Sequence, residues 1–283
     1  MQTTFAYGLR RKNKRQSKGF CRNKRFYAKL VCQGWVPGSW HNACMKPLAI
    51  QLQESTLRGV LQRLHFPLDI MLTCVRWYAA YSLSTRNLEE MMAERGVCVD
   101  HATVHRWALK ILPALAKVLR RRKAPVGKSW RVDETYIPVA GEWKYLYRAV
   151  DRLGQTVDFL LTAKRDLAAA RRFFVRAIKL HEAPEKVTID KSGANTAAVH
   201  SLQTEDELDI ELRQSKYLNN LIEQDHRPIK RRTRSMLGFK SFNTARRLIS
   251  GIETMHAIKK GQLPTEDGTS PSAAEQFYSL AVA

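Results

Sequence analysis

SWRVDETYIPV (129–139), EWKYLYRAVD (142–151) and QTVDFLLTA (155–163) decide the fold. All three are rich in Val, Ile, Tyr and Trp and contain period-2 stretches, the spacing that turns alternate side chains to opposite faces of a strand. Ala140-Gly141 and Arg152-Leu153-Gly154 are short turn signals between them. The spacing therefore predicts a three-stranded antiparallel meander. Downstream, Asp166 precedes a helix whose Leu167, Ala170, Phe174, Ala177 and Ile178 share one apolar face. Pro184 separates it from KVTID (186–190), a short buried strand ending at Asp190. Helices are expected over 193–203, 216–232 and about 243–260, with a strand near 208–213. Strand, strand, strand, helix, strand, helix is the order of a mixed α/β sheet.

Upstream the texture is helical. LDIMLTCVRWYAAY (68–81) is apolar enough for a buried helix, and LSTRNLEEMMAERG (83–96) offers Ser84 as N-cap and Gly96 as stop. Asp100 then caps HATVHRWALKIL, in which Val104, Trp107, Ala108 and Ile111 face inward. Helix, short turn and helix is helix-turn-helix spacing, with the second helix as the one that enters a DNA groove. His101, Thr103, His105 and Arg106 are its outward residues.

Charge points the same way. The 283 residues hold 48 Lys+Arg against 26 Asp+Glu, a net +22. Residues 1–53 hold 11 basic and no acidic residues, and further basic blocks lie at 120–131 and 225–247. Concentrated cation with interleaved aromatics is a polyanion footprint, because each neutralised phosphate releases condensed counterions. Five Cys without a C-x-x-C do not suggest a disulfide framework or a zinc site; His41 and Cys44 are the one close ligand pair. The start, MQTTFAYGLRRKNKRQSKGF, lacks the apolar stretch of a secretory signal, and no run reaches a membrane span. A cytoplasmic, nucleoid-associated protein is expected. No phosphate-loop, zincin or nucleophile-elbow motif occurs.

Three carboxylates occupy positions that chemistry can use. Asp133 lies inside the first strand, where a charge needs a reason. Asp190 lies at the carboxyl end of the later strand, where α/β sheets place their sites. Glu223 sits seven residues before Lys230 in LNNLIEQDHRPIKRR, two helical turns that put both on one face. Such oxygens suit Mg²⁺, two of which can promote in-line phosphoryl displacement, with Lys230 on a DNA phosphate. His226, near Glu223, could touch DNA or assist the site, an exposed helical histidine being the commoner case.

Longer strings carry a family likeness: VRWY (75–78), LEEMMAERG (88–96), VDHATVHRW (99–107), VDETY (132–136), YLYRAVD (145–151), TIDKSGAN (188–195), NNLIEQDHRPIKRR (219–232) and LGFKSF (237–242). Together they resemble the bacterial insertion-sequence transposases of the IS-six family, within the DDE group. The resemblance implies an RNase H-like catalytic domain behind a helix-turn-helix. It places the family's acidic triad on Asp133, Asp190 and Glu223 as holders of two Mg²⁺ ions (Mn²⁺ substituting), with the basic residue on Lys230. The expected activity is Mg-dependent phosphodiester hydrolysis and strand transfer by a polynucleotidyl transferase bound to terminal inverted repeats. Thr103, His105, Arg106, Lys230 and Arg231 are the expected contacts to double-stranded DNA, in a homodimer or higher homo-oligomer with no membrane partner. The rival is a catalytically silent, transposase-derived repressor.

The expected organisation is a poorly ordered basic arm (1–63), a helix-turn-helix domain (64–118), a basic linker (119–128), the catalytic domain (129–235), a C-terminal helix (236–262) and a flexible tail (263–283). The arm and the residues after Pro264 lie outside the resemblance.

Overall fold

The structure, a computed structural model, describes residues 58–61, 66–190, 193–215, 220–236, 238–264 and 271–282. The basic arm therefore lies outside the described residues, apart from the short helix α1 (Arg58–Leu61). The meander forms as its alternation requires: β1 (Ser129–Val139), β2 (Glu142–Asp151) and β3 (Thr156–Thr162) pair antiparallel in sequence. Ala140 and Gly141 both take positive φ, 53° and 81°, the backbone of a tight two-residue hairpin turn. At the second turn the Asp151 carboxylate accepts the N–H groups of Leu153 and Gln155.

α5 (Leu167–His181) crosses from β3 to β4 (Lys186–Ile189), and α6 (Gly193–Glu205) from β4 to β5 (Glu211–Gln214). β4 lies parallel to β1 and β5 parallel to β4, giving the order β3-β2-β1-β4-β5. This is a mixed five-stranded sheet, as expected of an RNase H-like domain.

Each face of the sheet has its own core. Trp130, Val132, Tyr147 and Ala149 point to one face, where Phe173 and Phe174 of α5 and Ala198, Val199 and Leu202 of α6 cover them. Ile137, Val139 and Leu146 point to the other and join a helical core. That core is built from α2 (Leu68–Ala80), α3 (Thr85–Ala93), α4 (His101–Arg122), α8 (Phe242–Lys259) and α9 (Ala273–Val282). α7 (Asn220–Ser235) lies between the two layers and contributes Ile229.

The caps read from sequence are made. Ser84 and Asn87 form a reciprocal capping box, Asp100 accepts from Ala102 N–H at 3.1 Å, and Asp166 from Ala169 N–H at 2.8 Å. α3 is tied to the start of α4 by the 2.9 Å contact between Glu89 and His101 Nδ1. α4 and α8 cross so closely at Gly251 that a Cβ there would overlap the fully buried Leu112 side chain.

Two boundaries differ from expectation. α4 runs on to Arg122, so the first four of the ten residues of the expected linker are helix. Its continuation is anchored: Lys123 donates to the carbonyls of Thr156 and Val157, and burial depresses its pKa to about 8. The expected flexible tail carries α9, which buries Phe277 and Leu280. Its Tyr278 hydroxyl meets Arg76 Nε at 3.1 Å and Thr73 Oγ1 at 3.2 Å, closing the helical core against α2. Two more apolar positions facing one core outweigh the polar flanks that suggested a tail. No helix among the described residues is long and apolar enough to cross a membrane.

Candidate active site

β1 pairs with β4 through Ser129–Val132 only, the last register pair being Val132 with Ile189. Asp133 and Asp190 are thus the next residue on each of two adjacent parallel strands. They stand together at the point where β4 ends. Carboxylate oxygens of Asp133, Asp190 and Glu134 all lie within 4.8 Å of one another. Three carboxylates so close repel unless cation joins them. One oxygen of Asp190, Oδ1, is buried and has no hydrogen-bond partner. Hard oxygen donors converging on one point, one of them unsatisfied, fit a divalent cation such as Mg²⁺.

Glu134 is the member that sequence reasoning missed. Alternation assigns it to the face opposite Asp133, beside Tyr147, yet its longer side chain brings an oxygen back to the pair. Burial raises its pKa above the usual carboxylate value, opposed by Arg165, whose Nε donates to Glu134 Oε1 at 3.0 Å, and reinforced by Asp133 and Asp190.

Glu223 stands exposed on the first turn of α7 and, among the described residues, belongs to no such three-ligand group. Lys230 and Arg231 are exposed on the same helix. His226 differs from expectation: it is 4% exposed, with Nε2 3.2 Å from Asp133 Oδ2. The apolar stripe of Ile222 and Ile229 turns this side of α7 into the sheet and carries His226 with it. Its Nδ1 is buried without a partner.

What presses α7 onto the sheet is a buried charge cluster. Arg148, the β2 residue opposite Asp133, donates to the Asp225 carbonyl at 2.8 Å and to its carboxylate at 2.5 Å. Glu253 and Lys260 complete the charges, 3.1 Å from Arg148 and 2.5 Å from Asp225, and His256 Nε2 lies 2.6 Å from Asp225. Burial alone would raise the Asp225 carboxyl; the His256 hydrogen bond, Arg148 and Lys260 outweigh it and hold the group well below its usual range. Glu223, His226 and Lys230 are therefore carried by a helix bolted next to Asp133.

On α4, Arg106 is exposed and donates to Thr103 Oγ1 at 2.8 Å, whereas Thr103 and His105 are half-buried. Burial lowers the His105 pKa, and the positive charge of Lys240 pushes it the same way.

Residues 127–262 match a family model described as a DDE domain. The "Transposase for insertion sequence-like element IS431mec" of Staphylococcus aureus is 41% identical over 197 residues, covering 69% of this chain and 86% of that protein. The chain is a transposase of the IS-six family. A second relative, the "Transposase for insertion sequence element IS257 in transposon Tn4003" of Staphylococcus aureus, is 40% identical over the same coverage. Among solved structures, the HTLV-2 integrase catalytic core domain in complex with magnesium aligns with a TM-score of 0.39 at 16% identity, over 56% of this chain and 99% of that one. As a DDE-type transposase the protein is a polynucleotidyl transferase. The mixed sheet of the transposase puts Asp133 and Asp190 side by side, and its α7 carries both Glu223 and Lys230.

Proposed function

We propose that this transposase binds the terminal inverted repeats of its own insertion sequence and, with Mg²⁺, hydrolyses a phosphodiester at the element's end and transfers the freed 3′-hydroxyl to target DNA. The observation that carries the proposal is the juxtaposition of Asp133 and Asp190 where β4 ends beside β1, with a buried Asp190 oxygen unsatisfied. Asp133, Asp190 and Glu223 would hold the ions. When bound, such ions act as Lewis acids on an in-line displacement at phosphorus.

The chain's own residues do the rest. His226 fixes the Asp133 carboxylate from below, so the two aspartates present their free oxygens in a constant direction. Lys230 and Arg231 are exposed on the same helix and engage the DNA backbone. α4 offers Thr103, His105 and Arg106 to the repeat. A groove of about 850 Å³ bearing Lys110, Lys117, Arg120, Arg246 and Arg247 supports further backbone contact. Joining two ends calls for two or more copies, and such a protein works in the cytoplasm at the nucleoid.

The test is end cleavage on a labelled duplex carrying the element's terminus. Asp133→Asn should lower cleavage by three orders of magnitude or more while leaving end binding within about twofold. A mutant that cleaves like wild type would remove Asp133 from the chemistry. A wild type that binds ends but never cleaves would favour the repressor reading.

A further inference from the structure

Beyond Val132 the outer edge of β1 has no ladder partner among the described residues until Val139 meets Phe239 in an isolated bridge. A cavity of about 1060 Å³ opens along this edge, with the β1–β2 hairpin on one side and the C-terminal half of α7 on the other. Its lining on β1 begins at Tyr136, three residues, about 10 Å, along the strand from Asp133.

Two features of its lining are unusual for a protein surface. Trp143 is 63% exposed and Tyr136 48%, side chains large enough that leaving them in water forgoes much burial. Their rings meet near right angles at 6.3 Å and so are not stacked on each other, and Trp143 keeps most of its surface in water. The second feature is charge. Lys230, Arg234 and Lys240 line the same cavity, and among the described residues no acidic one does.

Stabilisation of the hairpin does not account for this. Tyr136 already packs on its cross-strand partner Tyr145 at 5.4 Å, and Trp143 adds little burial to that pair. Open aromatic faces flanked by cations match a nucleotide strand whose bases are free to stack. Paired bases within a duplex hide their faces from side chains, so the ligand must be unpaired.

We infer that this groove binds unpaired nucleotides of the DNA strand at the active site, bases stacked on Trp143 and Tyr136 and phosphates against Lys230, Arg234 and Lys240. The inference rests on the DNA-transposase reading and adds to it a site for strand opening next to the cleaved bond.

The test uses the full chain and fluorescence anisotropy at fixed salt, with two probes: labelled oligothymidylate and a fully paired duplex of unrelated sequence. Trp143→Ala should weaken oligothymidylate binding at least fivefold, Trp143→Phe should restore it to within twofold, and duplex binding should change less than twofold for both. Because Trp143 is mostly in water, the variants should melt with the wild type, which a thermal scan checks. Wild type that fails to bind oligothymidylate, or Trp143→Ala that loses both probes equally or neither, would overturn the groove. The cleavage assay reads separately: a protein that shows the selective loss yet never cleaves ends would keep the groove and lose the nuclease reading.

Discussion

At the scale of residues, the first strand shows both the reach and the end of sequence reading. Asp133 is legible because a charge inside an alternating strand asks for a partner. Asp190 is legible because the strand is short and ends there. Glu134 is not, since alternation turns it away and only side-chain length brings its oxygen back. His226 looked exposed because its neighbours Arg227, Lys230 and Arg231 are charged. Its burial depends on which stripe of α7 meets the sheet, and Ile222 and Ile229 decide that at a distance. On α4 the same logic yields a residue-level prediction. Arg106 is exposed at the second turn and braced by Thr103. Arg106→Ala should weaken binding to the inverted repeat by about 1–3 kcal/mol and to random duplex by much less, read by competition titration. Equal losses on both would make Arg106 a phosphate contact rather than a reader of bases.

Elements were more legible than residues. Five strands, the caps at Ser84, Asp100 and Asp166, and the crossover helices follow from alternation, apolar stripes and turn residues that act locally. α9 escaped although Ser272 and Glu275 form a capping box, with contacts of 2.7 and 3.2 Å, and Phe277 and Leu280 share a face. The clamp between β2 and α7 escaped for a different reason: nothing local pairs Arg148 with Asp225, 77 residues away. Removing one partner leaves a buried charge uncompensated, so Asp225→Ala should cost about 3–5 kcal/mol in a denaturant titration. The folded Asp225 carboxyl has a depressed pKa, so its contribution is complete above the unfolded value near pH 4 and is lost as pH falls below it. Wild-type stability should thus drop between about pH 4 and pH 2 more steeply than that of Asp225→Asn. Parallel acid limbs would show that the clamp carries no such linkage.

The described residues join a helical layer and a mixed sheet through one shared core, so the expected helix-turn-helix and the Asp133–Asp190 pair are not independent bodies there. α2, α3 and α4 pack with α8 and α9 and with Ile137 and Leu146 of the sheet. That union explains why a division at residue 118, drawn from a basic stretch, falls inside α4. Charge alone argued for a linker there, while the buried Val118 and Leu119 continue the helix. The net charge of +22 and the two cationic grooves belong to the same scale. Charge so concentrated suits a polyanionic partner.

Asp133, Asp190 and Glu223 are the proposed working triad, although Glu134 is the carboxylate grouped with the two aspartates. The direct measurement is single-turnover cleavage and strand transfer on a labelled element end, with Mg²⁺ and with EDTA, for wild type, Glu223→Gln and Glu134→Gln. Wild type should join ends only with metal, Glu223→Gln should lose joining by at least three orders of magnitude, and Glu134→Gln should keep measurable joining. Full activity in Glu223→Gln with loss in Glu134→Gln would contradict that triad and transfer the third position to Glu134.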